Sequence, residues 1–482
     1  MKGSSGLEGR TRKTGAGETE TPRWVTGLLR ALPWLVALLC LLRLVGLERW
    51  GLWIDEAFTL HDSGALSWTR LTDFPLNLFL TSLWLDLLDP PHGEASLRAP
   101  ACLFGMLSIL GTAWAFRPLL GATRAWLAAA LVALSSYHLF WSQSARHYTL
   151  AQALSVLGAG VALRGILGGG GSRYLLGVAL ALAAAFAHPS AGLLVPALLV
   201  APWLCGLLGA RLPWSPSTRW MAALAFAGLA LGVTWGADVW GEYASKKSGS
   251  SVLHLAQTSG FYFGPPLCLA AAWASFEALR ERRPAGVLMA LVLALSFGLA
   301  LAAALLARVA AQYVFVLLPW AAAAASGIAP IERPRGKLAL GLLAAMLLWG
   351  AVDVALYMTL RRGDRPRWKE AYALVARSRG PDDLVYGMAA PVGEYYLSPG
   401  STRLREASSL ARLTDYEDHL VDVWARRERR IWIVLNREDL QDWTSEERVR
   451  FERFLRDQCE RVRTFPVAWT PRELDVEVYL RP

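Results

Sequence analysis

The chain carries one apolar run after another, several reaching the ~18–20 residues that cross a lipid bilayer. Such runs leave few folds open. With no water in the hydrocarbon, each segment must satisfy its own backbone, and a helix does so. The runs fall at 27–47, 98–116, 125–141, 148–166, 174–188, 190–209, 219–236, 259–279, 285–307, 311–329 and 338–357. That makes about eleven spans. Of 482 residues, 54% are hydrophobic and only 18% charged, less charge than a soluble protein of this size carries. The sequence therefore describes a polytopic α-helical membrane protein.

The formal net charge of +10 would suggest nucleic acid as a partner in a soluble chain. Here the cations sit between apolar runs and report topology, so the expected partner is the bilayer and nucleic acid is excluded. Arg117 and Arg124, Arg164 and Arg173, and Arg211 and Arg219 flank three loops. Arg280, Arg282 and Arg283 mark a fourth, and Arg333, Arg335 and Lys337 a fifth. Cytoplasmic loops are the Lys/Arg-rich ones, which assigns these turns to the cytoplasm. Residues 1–24 are read as a disordered cytoplasmic tail, since they lack the apolar core of a signal peptide. The loop after the first span, and everything beyond 357, then face outward. Residues 75–88 are apolar but short, with Asn77, Thr81, Ser82, Asp86 and Asp89 expected on one side. They suit an interfacial helix on the outer surface. Gly168–Gly171 reads as a cytoplasmic turn, and the five cysteines form no disulfide framework.

Residues 25–357 thus form the membrane domain, and 358–482 a soluble, extracytoplasmic α/β domain. Strand-like runs lie at 383–388, 431–435 and 474–480, and helical patterns near 366–378, 415–427 and 445–458. That length suffices for a core of its own.

Polar residues gather on the outward side. The first loop brings Asp55, Glu56 and His61, and the next outward loop brings Arg146, His147 and Tyr148. Later outward junctions bring His188, then Lys246 and Lys247, then Arg308, Gln312 and Tyr313. Each has a plain reading too: a solvated carboxylate pair, an arginine reaching for headgroups, a helix-ending histidine. Together, carboxylates with cations and tyrosines suit a phosphate-bearing lipid donor. Arg and Lys bind phosphate, and a carboxylate can act as general base on an acceptor hydroxyl.

The segments Trp53-Ile-Asp55-Glu56-Ala-Phe-Thr59, Ser142-Gln-Ser-Ala-Arg146-His-Tyr148 and Gln312-Tyr313-Val-Phe-Val-Leu-Leu-Pro319 resemble those of glycosyltransferase family 39. That group includes protein O-mannosyltransferases and aminoarabinose transferases of the GT-C fold. Asp364-Arg-Pro-Arg-Trp368 resembles the start of the outer domain in bacterial members. The resemblance implies a GT-C-like membrane protein of the bacterial cytoplasmic membrane. Its activity would be inverting, mannosyltransferase-like transfer of sugar from a polyprenyl-phosphate carrier to an envelope acceptor on the outer face. Asp55 matches the catalytic carboxylate, with Glu56 as its neighbour. Arg146 and Tyr148 would shape the donor phosphate site, with Lys246, Lys247, Arg308, Gln312 and Tyr313 as further phosphate-side candidates. His61, His147 and His188 are additional candidates. A divalent metal held by Asp55 and Glu56 is left open. The chain departs from the pattern at Ser144, where relatives often carry an acid, and at Gln312, where they often carry arginine. Two other readings stand beside the transferase: a non-catalytic relative that binds the carrier lipid, and a lipid or sugar transporter.

Overall fold

The computed structural model describes residues 23–63, 73–88, 93–217, 236, 241, 252–305, 309–328, 336–387, 390–397, 405–406, 430–437, 440, 445–470 and 473–482. Helix α1 (Arg23–Leu41) ends in a 3-10 turn, Leu42–Leu44. Two short helices follow, α2 (Ile54–Asp62) and α3 (Pro75–Asp86). Then come α4 (Glu94–Ala133), α5 (Ser136–Ser142), α6 (Tyr148–Leu167) and α7 (Gly171–Ala187). Helix α8 (Leu194–Leu207) follows the 3-10 turn Pro189–Leu193. Beyond it lie α9 (Val252–Phe263), α10 (Pro265–Arg280) and α11 (Pro284–Ala304). A 3-10 segment, Ala311–Leu317, leads into α12 (Leu318–Ser326), and α13 (Gly336–Met358) closes the bundle.

Among the described residues, five helices are long and apolar enough to cross a membrane: Glu94–Ala133, Tyr148–Leu167, Pro189–Leu207, Pro284–Ala304 and Lys337–Met358. The chain is a multi-pass membrane protein. The eleven expected spans map onto it unevenly. Two of them merge into α4, kinked at Gly121, which alone in that helix leaves helical geometry at φ 76°. The run 125–141 also breaks at Ser135, whose hydroxyl caps α5 by accepting from the His138 N–H at 3.2 Å. The run 259–279 is not one helix. Gly264, at φ 87°, ends α9, and Pro265-Pro266 opens α10; proline at a helix start sacrifices no hydrogen bond. The expected span 219–236 lies outside the described residues except for Gly236.

The core of the bundle is built from small residues. Helices α6 and α7 cross so closely that a Cβ on Gly177 would stand 2.2 Å from the Ala162 nitrogen, and one on Gly158 would stand 2.6 Å from that of Ala181. Close backbone approach through Gly and Ala is how helices associate where lipid offers no hydrophobic drive. Leu38, Leu103, Leu176, Leu269, Phe276 and Leu338 are exposed apolar side chains on the outside of the bundle, as a lipid-covered surface requires. Helix α3 shows the interfacial pattern only in part. Phe79, Leu83 and Leu87 are exposed, but Asn77 and Thr81 turn inward, away from exposed Asp86.

After α13, helix α14 (Trp368–Ser378) leads to β1 (Leu384–Gly387), α15 (Ala390–Leu397) and β2 (Arg405–Glu406). Then come β3 (Ile431–Asn436), α16 (Ser445–Gln458), β4 (Glu460–Phe465) and β5 (Val476–Arg481). The sheet order is β2-β1-β3-β5-β4. Strand β1 runs parallel to β2 and β3, while β5 is antiparallel to β3 and β4. All six residues of β3 are buried, as a central strand covered on both faces requires. Three strands and two helices fall where the sequence pattern places them; the expected helix 415–427 lies outside the described residues. One face of the sheet packs on Trp368, Tyr372 and Val392, and that cluster also takes in Ala57 and Ile54 of α2. The helix carrying Asp55 and Glu56 is therefore wedged between the bundle and the C-terminal sheet region.

Candidate active site

Helix α2 begins at Ile54 and places Asp55 and Glu56 in its first turn. Successive helical residues point about 100° apart, so adjacent carboxylates meet different surroundings. Glu56 turns inward and is 0% exposed. Its Oε1 accepts from Arg98 Nε at 2.8 Å and the Ala145 N–H at 2.9 Å. Its Oε2 accepts from Arg98 Nη2 at 2.7 Å, Arg365 Nη1 at 2.9 Å and the Trp53 N–H at 2.9 Å. Burial alone would raise this carboxyl, but the charges of Arg365 and Arg98 outweigh it and hold Glu56 down at about 2.

The arginines are themselves tied down. Arg98 also donates to the carbonyls of Leu47, Trp50 and Gly51 at 2.6, 2.8 and 2.8 Å. Arg365 Nη2 donates to the Gln143 carbonyl at 2.5 Å and to Ser144 Oγ at 2.8 Å. Gln143 in turn donates to the Val45 carbonyl at 2.8 Å and accepts from Tyr357 at 3.0 Å. Helix α2, the start of α4, the 143–147 loop and the chain entering the sheet region thus meet at one carboxylate. Ser144 thus serves to hold Arg365.

Asp55 turns the other way. Its side chain is 37% exposed and lies 3.8 Å from Arg146 Nη2. Arg146 Nη1 also donates to the Asp55 carbonyl at 3.1 Å and to Thr59 Oγ1 at 3.2 Å. Beside them stands a cluster of rings. Phe74 stacks on His147 at 3.9 Å and lies 5.7 Å from the Arg146 guanidinium. His147 stacks on His188 at 4.4 Å, and His188 reaches Tyr148 at 4.8 Å and Tyr313 at 5.7 Å. Tyr148 leans on Trp141 at 3.9 Å.

The structure therefore brings Asp55, Arg146, His147, Tyr148, His188 and Tyr313 together, from four separate outward loops of the sequence reading. Gln312 lies next to Tyr313 in the 3-10 segment, half-buried, with no part in the ring cluster. His61 lies on α2, but its side chain is outside the described residues, as are Lys246, Lys247 and Arg308. Arg98, Arg365 and Phe74 were not singled out from sequence. A signal existed for Arg98: it heads an apolar run apart from the arginine-rich turns, which makes it a candidate for an ion pair.

Of the two carboxylates, Glu56 does not fit a divalent cation. A carboxylate offers about four lone-pair positions, and five N–H donors already surround Glu56. Two guanidinium groups beside it would repel a second cation. Among the described residues no three His, Cys, Asp or Glu side chains form a metal-sized group.

No protein-family model and no curated protein matches the sequence. Solved structures do. ArnT from Cupriavidus metallidurans aligns over 95% of this chain and 98% of its own in the apo state, with TM-score 0.54 and 12% identity. The same protein bound to undecaprenyl phosphate aligns over 96% and 99%, with TM-score 0.54 and 14% identity. Archaeal oligosaccharyltransferase AglB from Archaeoglobus fulgidus, in complex with an inhibitory peptide and a dolichol-phosphate, aligns over 86% of this chain and 70% of its own, with TM-score 0.50 and 11% identity. The chain has the GT-C fold of membrane glycosyltransferases, as the sequence resemblance implied.

Proposed function

We propose that the protein transfers a sugar from a polyprenyl-phosphate carrier to an acceptor hydroxyl of the cell envelope, on the outer face of the cytoplasmic membrane. The observation that carries this is the meeting of a half-exposed carboxylate, Asp55, with a guanidinium, Arg146, at one end of the bundle. The shared fold supports it, since ArnT and AglB were solved with undecaprenyl phosphate and dolichol-phosphate respectively.

Asp55 takes the proton of the acceptor hydroxyl as its oxygen attacks the anomeric carbon. The bond from that carbon to the phosphate oxygen breaks, and its electron pair leaves with the polyprenyl phosphate. One displacement inverts the anomeric centre. The departing phosphate gains a negative charge, and Arg146 lies where it can stabilise that charge. Phosphate leaves readily, so positioning and charge stabilisation carry most of the effect. Tyr148, His188 and Tyr313 wall the site. Glu56 takes no proton: it holds α2 so that Asp55 projects outward. The C-terminal sheet region forms an extracytoplasmic domain beside this helix, suited to presenting the acceptor.

The test is Asp55→Asn in membranes, with expression and insertion checked. Transfer from a polyprenyl-phosphate sugar should fall by about 100-fold or more, the weight of a general base, while carrier binding persists. Undiminished transfer removes Asp55 from the mechanism. Carrier binding without turnover in the unaltered protein would favour the non-catalytic reading.

A further inference from the structure

We propose that His147 is a binding residue for the carrier phosphate, donating an N–H to a non-bridging oxygen in a seat completed by Arg146 and the first turn of α6. This rests on the function proposed above and names the ligand group of that site.

His147 is 1% exposed, and neither ring nitrogen has a hydrogen-bond partner among the described residues. A buried polar group left unpaired is destabilising, and such a group calls for an explanation. Packing does not supply one. Phe74, Tyr148 and His188 contact the ring at centroid distances of 3.9, 4.3 and 4.4 Å. Stacking of this kind engages ring faces, whereas the nitrogens lie on the edge and need a polar atom. Phenylalanine would fill the space as well.

Two further features agree on the sign of that atom. Arg146 Nε is also buried and unpartnered, although the Nη groups of the same guanidinium hold Asp55 and Thr59. His147 is the N-cap of the 20-residue α6, yet its side chain makes no cap hydrogen bond. First-turn N–H groups lack intrahelical partners, and the helix dipole is positive there. Unpaired donors on consecutive residues at a helix N-terminus form an anion site. A cation would be repelled by Arg146, and a lone sugar hydroxyl could not meet all the donors. A phosphate offers several acceptor oxygens and the matching charge. The donor diester carries one negative charge on its phosphate and the product monoester up to two, so the seat strengthens as the sugar departs.

Undecaprenyl phosphate binding to the full chain in lipid nanodiscs tests this, with undecaprenol as the probe lacking phosphate. His147→Phe keeps a stacking ring and removes both nitrogens. Its affinity for undecaprenyl phosphate should drop by about tenfold or more, the value of a hydrogen bond to a charged group, with undecaprenol binding unchanged. His147→Gln, which restores an N–H donor without the ring, should stay within about threefold of the unaltered protein. That variant carries the test if His147→Phe does not fold. Unchanged phosphate affinity in His147→Phe, equal losses for both probes, or a His147→Gln loss as deep as expected for Phe overturns the role of His147 alone. Failure of the unaltered protein to bind undecaprenyl phosphate overturns the carrier reading with it.

Discussion

At the scale of single residues, two neighbouring carboxylates have opposite fates. Glu56 is fully buried between two guanidinium groups, and Asp55 is half-exposed beside one. Removing one member of a buried ion pair leaves uncompensated charge and costs about 3–5 kcal/mol. Glu56→Gln should therefore lower the thermal unfolding midpoint in detergent markedly, whereas Asp55→Asn should leave it nearly unchanged. The same contact sets a pH window. Glu56 sits at about 2 in the fold, below the ~4.3 of an unfolded glutamate. Its contribution to stability is complete above that unfolded value and is lost as pH falls towards 2. Unfolding midpoints measured from pH ~5 down to pH ~2.5 should decline in the unaltered protein, and less steeply in Glu56→Gln. Sequence could expose the Asp55-Glu56 pair but not its division of labour, because the partners that claim Glu56 lie 42 and 309 residues away.

At the scale of elements, uninterrupted apolar length is a sufficient signal. The runs at 148–166, 285–307 and 338–357 match α6, α11 and α13 closely. Where a Gly-Pro pair interrupts the run, as at Gly264-Pro265, hydropathy averages over a break that backbone geometry enforces. Strands β2 and β4 are not legible in the sequence for another reason. Strand β4 has four exposed residues of six, three of them charged, so it lacks the apolar signature of β3. The crossing of α6 on α7 yields its own expectation. Added volume at Gly177 has nowhere to go, since Ala162 and Gly158 backbone atoms lie within 2.7 Å of the new carbon. Gly177→Ala should force the helices apart. Folded yield in detergent, read by size-exclusion chromatography, should drop sharply, while Gly298→Ala, with open space around it, should fold normally.

At the scale of the whole molecule, the bundle has two unlike ends. One gathers Asp55, Arg146, His188, Tyr313 and the C-terminal sheet region. The other holds the arginine-rich turns, where Arg164 caps Trp114 at 3.8 Å, Trp214 covers Gly171 and Arg282 lies beside Gly209. Charge asymmetry predicts that the second end is cytoplasmic. A cysteine introduced at exposed Ser378 should react with a membrane-impermeant maleimide in intact cells. One at exposed Ser172 should react only after permeabilisation. The opposite pattern would invert the topology.

The ion triad also dates the birth of the site. Arg98 follows Glu56 closely during synthesis, but Arg365 comes 309 residues after it, and the Tyr396 hydroxyl that receives the Leu52 N–H comes 344 residues after that partner. Contacts separated this far form late. A ribosome must pass about three-quarters of the message before α2 is locked. Until then the nascent protein carries an unfinished pocket. A chain arrested before residue 365 would hold Glu56 against Arg98 but lack its second guanidinium.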